Sequence, residues 1–279
     1  MNEFSGSSNR KSRSSIWRTT IRTLMAITFA LALCLALYSQ WIIPSQKQQA
    51  VFEQLTECVH CSLHQVDTLP WWKRALVPYF GEHYFLDVAE VNLEAGFPFT
   101  TDTIKDFKRL QTLSIVGIDP VYEGYHQIFE FSELKEITFE RSGLDDLSGF
   151  IACKKLRRFG LYELTDASGG AEVFGELEFL KHLHLGDSKI NQHEFDGITK
   201  SSSIEKLAFS VDLDELDLRN LSRMKQLKEI FIRRSRKTKM DLYAMLDLPN
   251  IEKVYVNHVF ELDKPVLAKL KARGVVDTW

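Results

Sequence analysis

The chain has 279 residues, 44% of them hydrophobic and 26% charged, with a formal net charge of −3, a balance ordinary for a folded protein. The charge is unevenly spread. Arg10, Lys11, Arg13, Arg18 and Arg22 against Glu3 make the first 44 residues about +4, leaving about −7 for the remainder, which makes the folded part mildly acidic and a poor general binder of nucleic acid, so none is expected.

Residues 1–22 are rich in Ser and Arg and poor in apolar side chains, so they read as a disordered basic tail. Residues 23–43 are almost wholly apolar and uncharged. As a helix they span about 31 Å, close to the hydrocarbon thickness of a bilayer. Tyr38 and Trp41 near the far end suit a membrane–water interface, and basic residues lie on the N-terminal flank alone. The positive-inside rule then expects Met1 in the cytoplasm and residues 45–279 outside it, in the cell membrane as a single-pass protein. A cleaved signal peptide is the alternative, with an unusually long basic region and Leu37-Tyr38-Ser39 as a poor cleavage site. A lipoprotein site at Cys34 would sit in mid-run. The expectation is an uncleaved anchor.

Residues 44–87 are expected to form a linker and an N-terminal cap. Ala50 to Leu55 is helix-compatible, Ser62 to Val66 alternates like a strand, and Pro70 opens a second helix. Trp71, Trp72, Phe80 and Phe85 are expected to fill the cap.

From Val88 onward one pattern recurs: aliphatic, two others, aliphatic, one other, aliphatic or Phe. Its copies begin at Val88, Leu110, Leu134, Leu156, Leu180, Ile204, Leu227 and Ile251, spaced by 22 to 24 residues. A fixed period in the twenties means a solenoid, because no unit of that size buries its own apolar face. Each copy is expected to begin a strand, with positions four and six on one side. Between strands lie stretches with apolar residues three or four apart, such as Leu144, Leu147 and Ile151, or Met240, Leu242 and Met245. Strand, turn, short helix and next strand stack into a parallel sheet with right-handed crossovers. Residues 88–260 make about eight repeats, and residues 261–279, with Pro265 to Leu270 helical, make the C-terminal cap.

These copies resemble leucine-rich repeats, and the whole plan is similar to bacterial single-pass membrane-anchored leucine-rich repeat proteins. The fold class expected is α/β: a repeat solenoid with a curved parallel sheet on the concave side and short helices and turns on the convex side, preceded by one transmembrane helix. The family's Asn or Cys after each strand is replaced by Gly96, Ile118, Ser142, Leu164, Ser188, Asp212, Ser235 and Val259. Without that ladder the coil is expected to be less regular. Asp119 to Glu133, holding Tyr122, Tyr125, Phe129 and Phe131, is expected to be an irregular convex turn whose aromatics mostly fill the core.

Four constellations carry chemistry. Cys58-Val59-His60-Cys61 lacks the His that c-type haem attachment needs after the second Cys. It reads as structural thiols or a local disulfide, with redox or metal roles as weaker alternatives. Cys34 and Cys153 read as small hydrophobes. His182 and His184 lie two apart on the fifth repeat strand, a spacing that presents two zinc ligands. The equivalent outward residues on adjacent strands are Arg158 and Lys206, whose charge opposes a cation. No metal and no cofactor is therefore expected. The outward columns change character along the chain, from acidic and hydroxylic residues to basic, His-bearing and aromatic ones. Exposed aromatics with Arg are the residue types that anchor interfaces, so the expected contact patch is Arg158, Tyr162, His182, His184, Phe231, Arg233 and Tyr255. Its alternative is a solvated face whose aromatics shield the sheet. The basic run from Arg233 to Lys239 reads as a solvated loop.

No nucleophile with a base, no carboxylate pair in a defined pocket and no phosphate-binding glycine loop appears in the sequence. The expectation is a membrane-tethered, non-catalytic interaction module. It would bind a protein or other macromolecule on its concave face and the lipid bilayer through residues 23–43. A structural or self-assembling envelope protein is the rival, followed by a metal-dependent enzyme at His182 and His184.

Overall fold

The computed structural model describes residues 10–43, 46–47, 50–51, 53, 61–65, 71, 74, 77, 88–94, 104, 107, 109–117, 125–142, 144, 146–163, 169–211, 216–234, 241–257 and 263–278. They fall into two compact units.

The first unit comprises residues 1–50 and 70–85. Its helix α1, Arg10–Leu37, runs into a π-helical turn at Tyr38–Ile42. The window Thr23–Gln40 is long and apolar enough to cross a bilayer. Leu24, Met25, Phe29 and Leu35 on it are exposed. Trp71 is also exposed, at 81%. This corrects the expectation that it fills a cap core. Trp72, Phe80 and Phe85 lie outside the described residues.

The second unit, residues 51–69 and 86–279, carries one sheet. Among the described residues its strands are β1 (Cys61–Gln65), β2 (Val88–Glu94), β3 (Thr112–Val116), β4 (Glu136–Glu140), β5 (Arg158–Tyr162), β6 (His182–Lys189), β7 (Lys206–Val211), β8 (Glu229–Arg234), β9 (Lys253–Val256) and β10 (Val276–Thr278). Their spatial order is their sequence order. β1 pairs antiparallel with β2 and closes one end; β2 to β10 are parallel. Register follows the repeat: Glu136 faces Arg158, Arg158 faces His182, and His182 faces Lys206. A solenoid of leucine-rich repeats is the result.

The first apolar residue of most copies lies just ahead of its strand rather than in it. Leu110, Leu134, Leu156, Leu180 and Leu227 are buried in a recurring turn. Their amides donate to the carbonyls of Phe107, Phe131, Cys153, Leu177 and Met224, at 2.9 to 3.2 Å. Positions four and six then point inward, from Val91 and Leu93 through Val254 and Val256, each at most 4% exposed.

The connecting segments are mostly 3₁₀-helices: Tyr125–Glu130, Ser148–Ala152, Ala171–Glu176, Leu218–Arg223 and Tyr243–Asp247. Their buried residues recur every third position, as in Leu147, Phe150 and Cys153, or Leu218, Leu221 and Met224. Three residues per turn is the 3₁₀ period, so this spacing keeps the residues of that series on the core side. One repeat differs. Helix α2, Gln192–Ile198, is α-helical and starts with a capping box, in which the Asn191 side chain accepts from the Glu194 amide and the Glu194 carboxylate accepts from the Asn191 amide. Helix α3, Lys264–Ala272, opens with Pro265 and leads into β10, a closing strand that periodicity did not disclose. Of the residues replacing the family's Asn ladder, Ser142 is buried and its hydroxyl donates to the Glu140 carbonyl at 3.0 Å.

The core between sheet and turns is aromatic at its middle. Phe159 packs its ring at 4.4 Å from Phe174, 4.8 Å from Phe150 and 6.3 Å from Phe139. Phe131 is buried, and Phe129 lies edge-on to Phe150 at 5.0 Å. Cys153 is buried as well, and that burial pushes its thiol up to about 11, an inert small hydrophobe.

Candidate functional site

The outward side chains of the sheet form three columns across the strands. Strand periodicity puts Glu136, Arg158, His182, Lys206 and Glu229 in the first, Thr138, Gly160, His184, Ala208, Phe231 and Tyr255 in the second, and Glu140, Tyr162, Gly186, Ser210 and Arg233 in the third.

The first column is an ion-pair ladder. Arg158 donates to Glu136 Oε2 at 3.1 Å and, from Nε, to His182 Nδ1 at 3.3 Å. Lys206 Nζ lies 3.0 Å from Glu229 Oε1. Burial pulls the His182 imidazole below its ordinary value, and the charges of Arg158 and Lys206 push the same way against Glu205 and Glu136. A neutral ring is what an Nδ1 that accepts from a guanidinium requires. Beside this column, before the strands begin, Glu205 takes both Lys228 at 2.8 Å and Lys181 at 3.0 Å. These two lysines hold its carboxyl down at about 2.

The second and third columns make a different surface. Tyr162 does not stand beside its own strand but folds back over Gly160. A Cβ there would meet the tyrosine ring at 2.6 Å. This is why Gly160 is buried in an outward position, and it brings Tyr162 onto His184, ring centroids 4.1 Å apart. His184 in turn leans over Gly186, where a Cβ would lie 2.7 Å from Nε2 and 2.9 Å from the Leu161 carbonyl oxygen. Burial raises the Tyr162 hydroxyl above its ordinary value, with Arg158 opposing. On the other side Phe231 and Tyr255 stack nearly parallel, at 4.1 Å and 8°.

Between these two ring pairs opens a cavity of about 430 Å³. Tyr162 and His184 form one wall, Phe231 and Arg233 the other, and Ala208 and Ser210 line it between them. Glu140 and Glu163 border it at the acidic end. The register of β6 against β7 jumps here, from Leu185 opposite Phe209 to Lys189 opposite Ser210.

The seven residues singled out from the sequence therefore divide. Tyr162, His184, Phe231 and Arg233 line the cavity, Tyr255 backs its aromatic wall, and Arg158 and His182 belong to the ion-pair ladder. His182 and His184 share a strand face but have separate partners. Among the described residues no group of three His, Cys, Asp or Glu side chains is placed to hold a metal ion. Arg233 and Arg234 end β8 itself. Cys58 and the side chain of Cys61 lie outside the described residues. Sequence reasoning missed Glu163, Gly186, Ala208 and Ser210 as lining residues. The small size of the last three, side by side in adjacent columns, was the available signal.

No protein-family pattern and no curated protein matches the chain. Solved structures do. Internalin C2 of Listeria monocytogenes aligns at 16% identity over 69% of this chain and 81% of that one, with a TM-score of 0.49. The internalin InlF of the same organism aligns at 15% identity over 68% of this chain, which spans 60% of its length, with a TM-score of 0.47. The ectodomain of the receptor kinase SOBIR1 from Arabidopsis thaliana aligns at 15% identity over 70% of this chain and 96% of that one, with a TM-score of 0.36. An in-register parallel sheet, a period of 22 to 24 residues and continuous buried columns of Leu, Ile, Val and Phe make this chain a leucine-rich repeat solenoid.

Proposed function

We propose that the protein is a membrane-tethered, non-catalytic interaction module that engages a protein or other macromolecular partner on the sheet face. Helix α1 serves as its anchor. Its apolar residues are exposed, which suits a lipid environment, and the basic residues on its N-terminal side support an orientation with that end in the cytoplasm and the repeats outside it.

The observation that carries the binding role is the ring-walled cavity. Its walls stand on strands whose backbones are tied on both sides by the sheet ladder. Exposed rings on such a frame contact a partner without ordering loops, which lowers the entropic cost of association. Aromatic residues and Arg are the types that dominate interface energetics. Arg158, His182 and Tyr255 extend the same surface around the cavity.

Crosslinking the full chain in its native membrane and identifying what is captured tests this reading. A partner lost on Phe231→Ser with Tyr255→Ser supports it. Capture unchanged by both substitutions overturns it, and capture of only other copies of this chain would favour a self-assembling role. Orientation is tested separately. Protease added to cells with any outer barrier opened should digest the repeats, and protection that persists until the inner membrane is lysed would reverse the topology.

A further inference from the structure

The second column of the sheet face reads, from β5 to β9, ring, ring, methyl, ring, ring. Tyr162 occupies the place over Gly160, His184 follows, Ala208 interrupts, and Phe231 and Tyr255 continue. Within each pair the centroids lie 4.1 Å apart, close to the spacing of neighbouring strands. His184 and Phe231 stand two strands apart, about 9.5 Å at the usual strand separation. That width admits one flat group, against the Phe231 ring that lies parallel to Tyr255 at 8° and beside the His184 ring that is tilted by 33° to Tyr162, and excludes two.

We propose that this gap over Ala208 is a slot for a single aromatic side chain of a protein partner, which completes a five-ring stack along the column. The inference rests on the interaction role above and names the chemistry of what is recognised. The floor is apolar: Ala208 is 8% exposed, and Phe209 lies beneath the sheet. Lys206 in the first column and Arg233 in the third flank the gap. Lys206 is paired with Glu229, and Glu140 and Glu163 border the cavity opposite Arg233, so the rim carries both signs; the ring walls and methyl floor are what select the flat, apolar rings of Phe, Tyr and Trp. Arg233 also favours the electron-rich face of a ring beside it.

Among the described residues the second column offers no such slot elsewhere, for a structural reason. On the acidic side the second column holds Asn92, Ser114 and Thr138, too small and polar to build walls. Only where two glycines accept the folded-back Tyr162 and the leaning His184 does a ring pair form on that side.

The test uses the full chain in lipid nanodiscs, labelled with ¹³C at alanine methyl groups. N-acetyl-L-tryptophanamide is the probe; N-acetyl-L-leucinamide and N-acetyl-L-argininamide are the comparators. The Ala208 methyl signal, assigned through Ala208→Ser, is expected to shift saturably with the tryptophan amide in the millimolar range and to stay in place with the comparators. Ala208→Phe supplies the missing ring from the protein itself. It should weaken saturation transfer to the probe by roughly tenfold or more while leaving the unfolding temperature at or above that of the parent.

No shift with the tryptophan amide, or equal transfer in Ala208→Phe, overturns the slot, and a larger shift with the arginine amide overturns its aromatic assignment. Should the slot fail while a captured partner is still lost on Phe231→Ser, the interaction role stands without it. If capture ignores Phe231→Ser as well, that role falls too.

Discussion

Two glycine-to-alanine substitutions in this solenoid should have opposite consequences, because the atoms each new methyl would meet differ in their freedom to move. At Gly197, in α2, an added Cβ would press on Cβ of Glu172 and approach its Cα to 2.7 Å and its carbonyl oxygen to 3.2 Å. At Gly175 it would run into the Gly197 carbonyl oxygen. The connecting segments of two repeats thus touch backbone to backbone, and neither can step aside without breaking its own hydrogen bonds. Overpacking of this kind costs about 1–3 kcal/mol, here at the upper end, and the helix-propensity gain of alanine returns about 1. Gly197→Ala should therefore lose about 2 kcal/mol, a fall of roughly 4–8 °C in Tm for a domain of this size.

At Gly160 the obstacle is the ring edge of Tyr162, a surface side chain that can swing outward. Its displacement and the entropy recovered by placing alanine in a strand are each worth about 0.5–1 kcal/mol, so Tm should barely move. The ring ladder should be disturbed, and partner capture with it. Thermal unfolding of the full chain in nanodiscs, followed by circular dichroism, distinguishes the two. A Gly197→Ala protein as stable as its parent would refute the close-approach reasoning.

Other substitutions probe the core and the rim. Phe159→Ala should destabilise more than Phe195→Ala. Both fall in the range of about 3–5 kcal/mol for a buried Phe, but among the described residues Phe159 has three ring neighbours and Phe195 has Phe209, at 5.6 Å. The difference, about 1 kcal/mol from the extra aromatic contacts, should appear in urea unfolding, and equal losses would contradict it. Glu205 carries the acid sensitivity of the rim. Its carboxyl sits at about 2 rather than the ordinary 4.5, a depressed folded-state value, so its contribution is complete above pH 4.5 and is lost as pH falls towards 2. Glu205→Gln should flatten the decline of Tm across that window, and an unchanged slope would show that Lys181 and Lys228 stabilise nothing there. The Cys153 thiol, pushed up to about 11 by burial, should resist alkylation at neutral pH until the repeats unfold.

The repeats were legible because a two-residue alternation set in a period of 22 to 24 is hard to satisfy by accident, and the buried pairs from Val91 and Leu93 onward follow it without exception. What misled was local. Leu110 and its equivalents read as the first residue of a strand, yet each closes the preceding turn, because an apolar residue at a turn exit is as buried as one in the sheet. The connecting segments read as helix-compatible without a type, and their recurrence at every third residue marks 3₁₀ geometry. Strand β10 was illegible because Val276–Thr278 is too short to show a period. The cavity eluded the sequence for another reason. Reading outward columns strand by strand assumes that every side chain stays over its own position, and Tyr162 does not. Its displacement onto Gly160 required knowing that a glycine leaves room there.

The turn that follows β3, β4 and β5 makes a last demand on residue choice. It places one residue per repeat in the left-handed region: Gly117 at φ 70°, Arg141 at 50° and Glu163 at 51°. The amides of Gly117 and Arg141 donate to the carbonyls of Glu140 and Tyr162 in the next repeat, at 2.7 and 2.9 Å, so the turn couples neighbours and cannot relax alone. Glycine suits it, whereas a side chain costs about 1–2 kcal/mol there. The ion pairs that Arg141 makes, 3.5 Å to Glu140 and 3.9 Å to Glu163, are exposed and worth at most about 1 kcal/mol. They do not offset the strain of both residues. Glu163 also borders the cavity, so on the proposed interaction role its carboxylate stands where a partner would meet it. Glu163→Gly should relieve the backbone and lose some unfolded-state restriction, leaving stability unchanged or raised by about 1 kcal/mol, while partner capture weakens. A variant that is clearly less stable than the parent would mean that the carboxylate serves the fold after all.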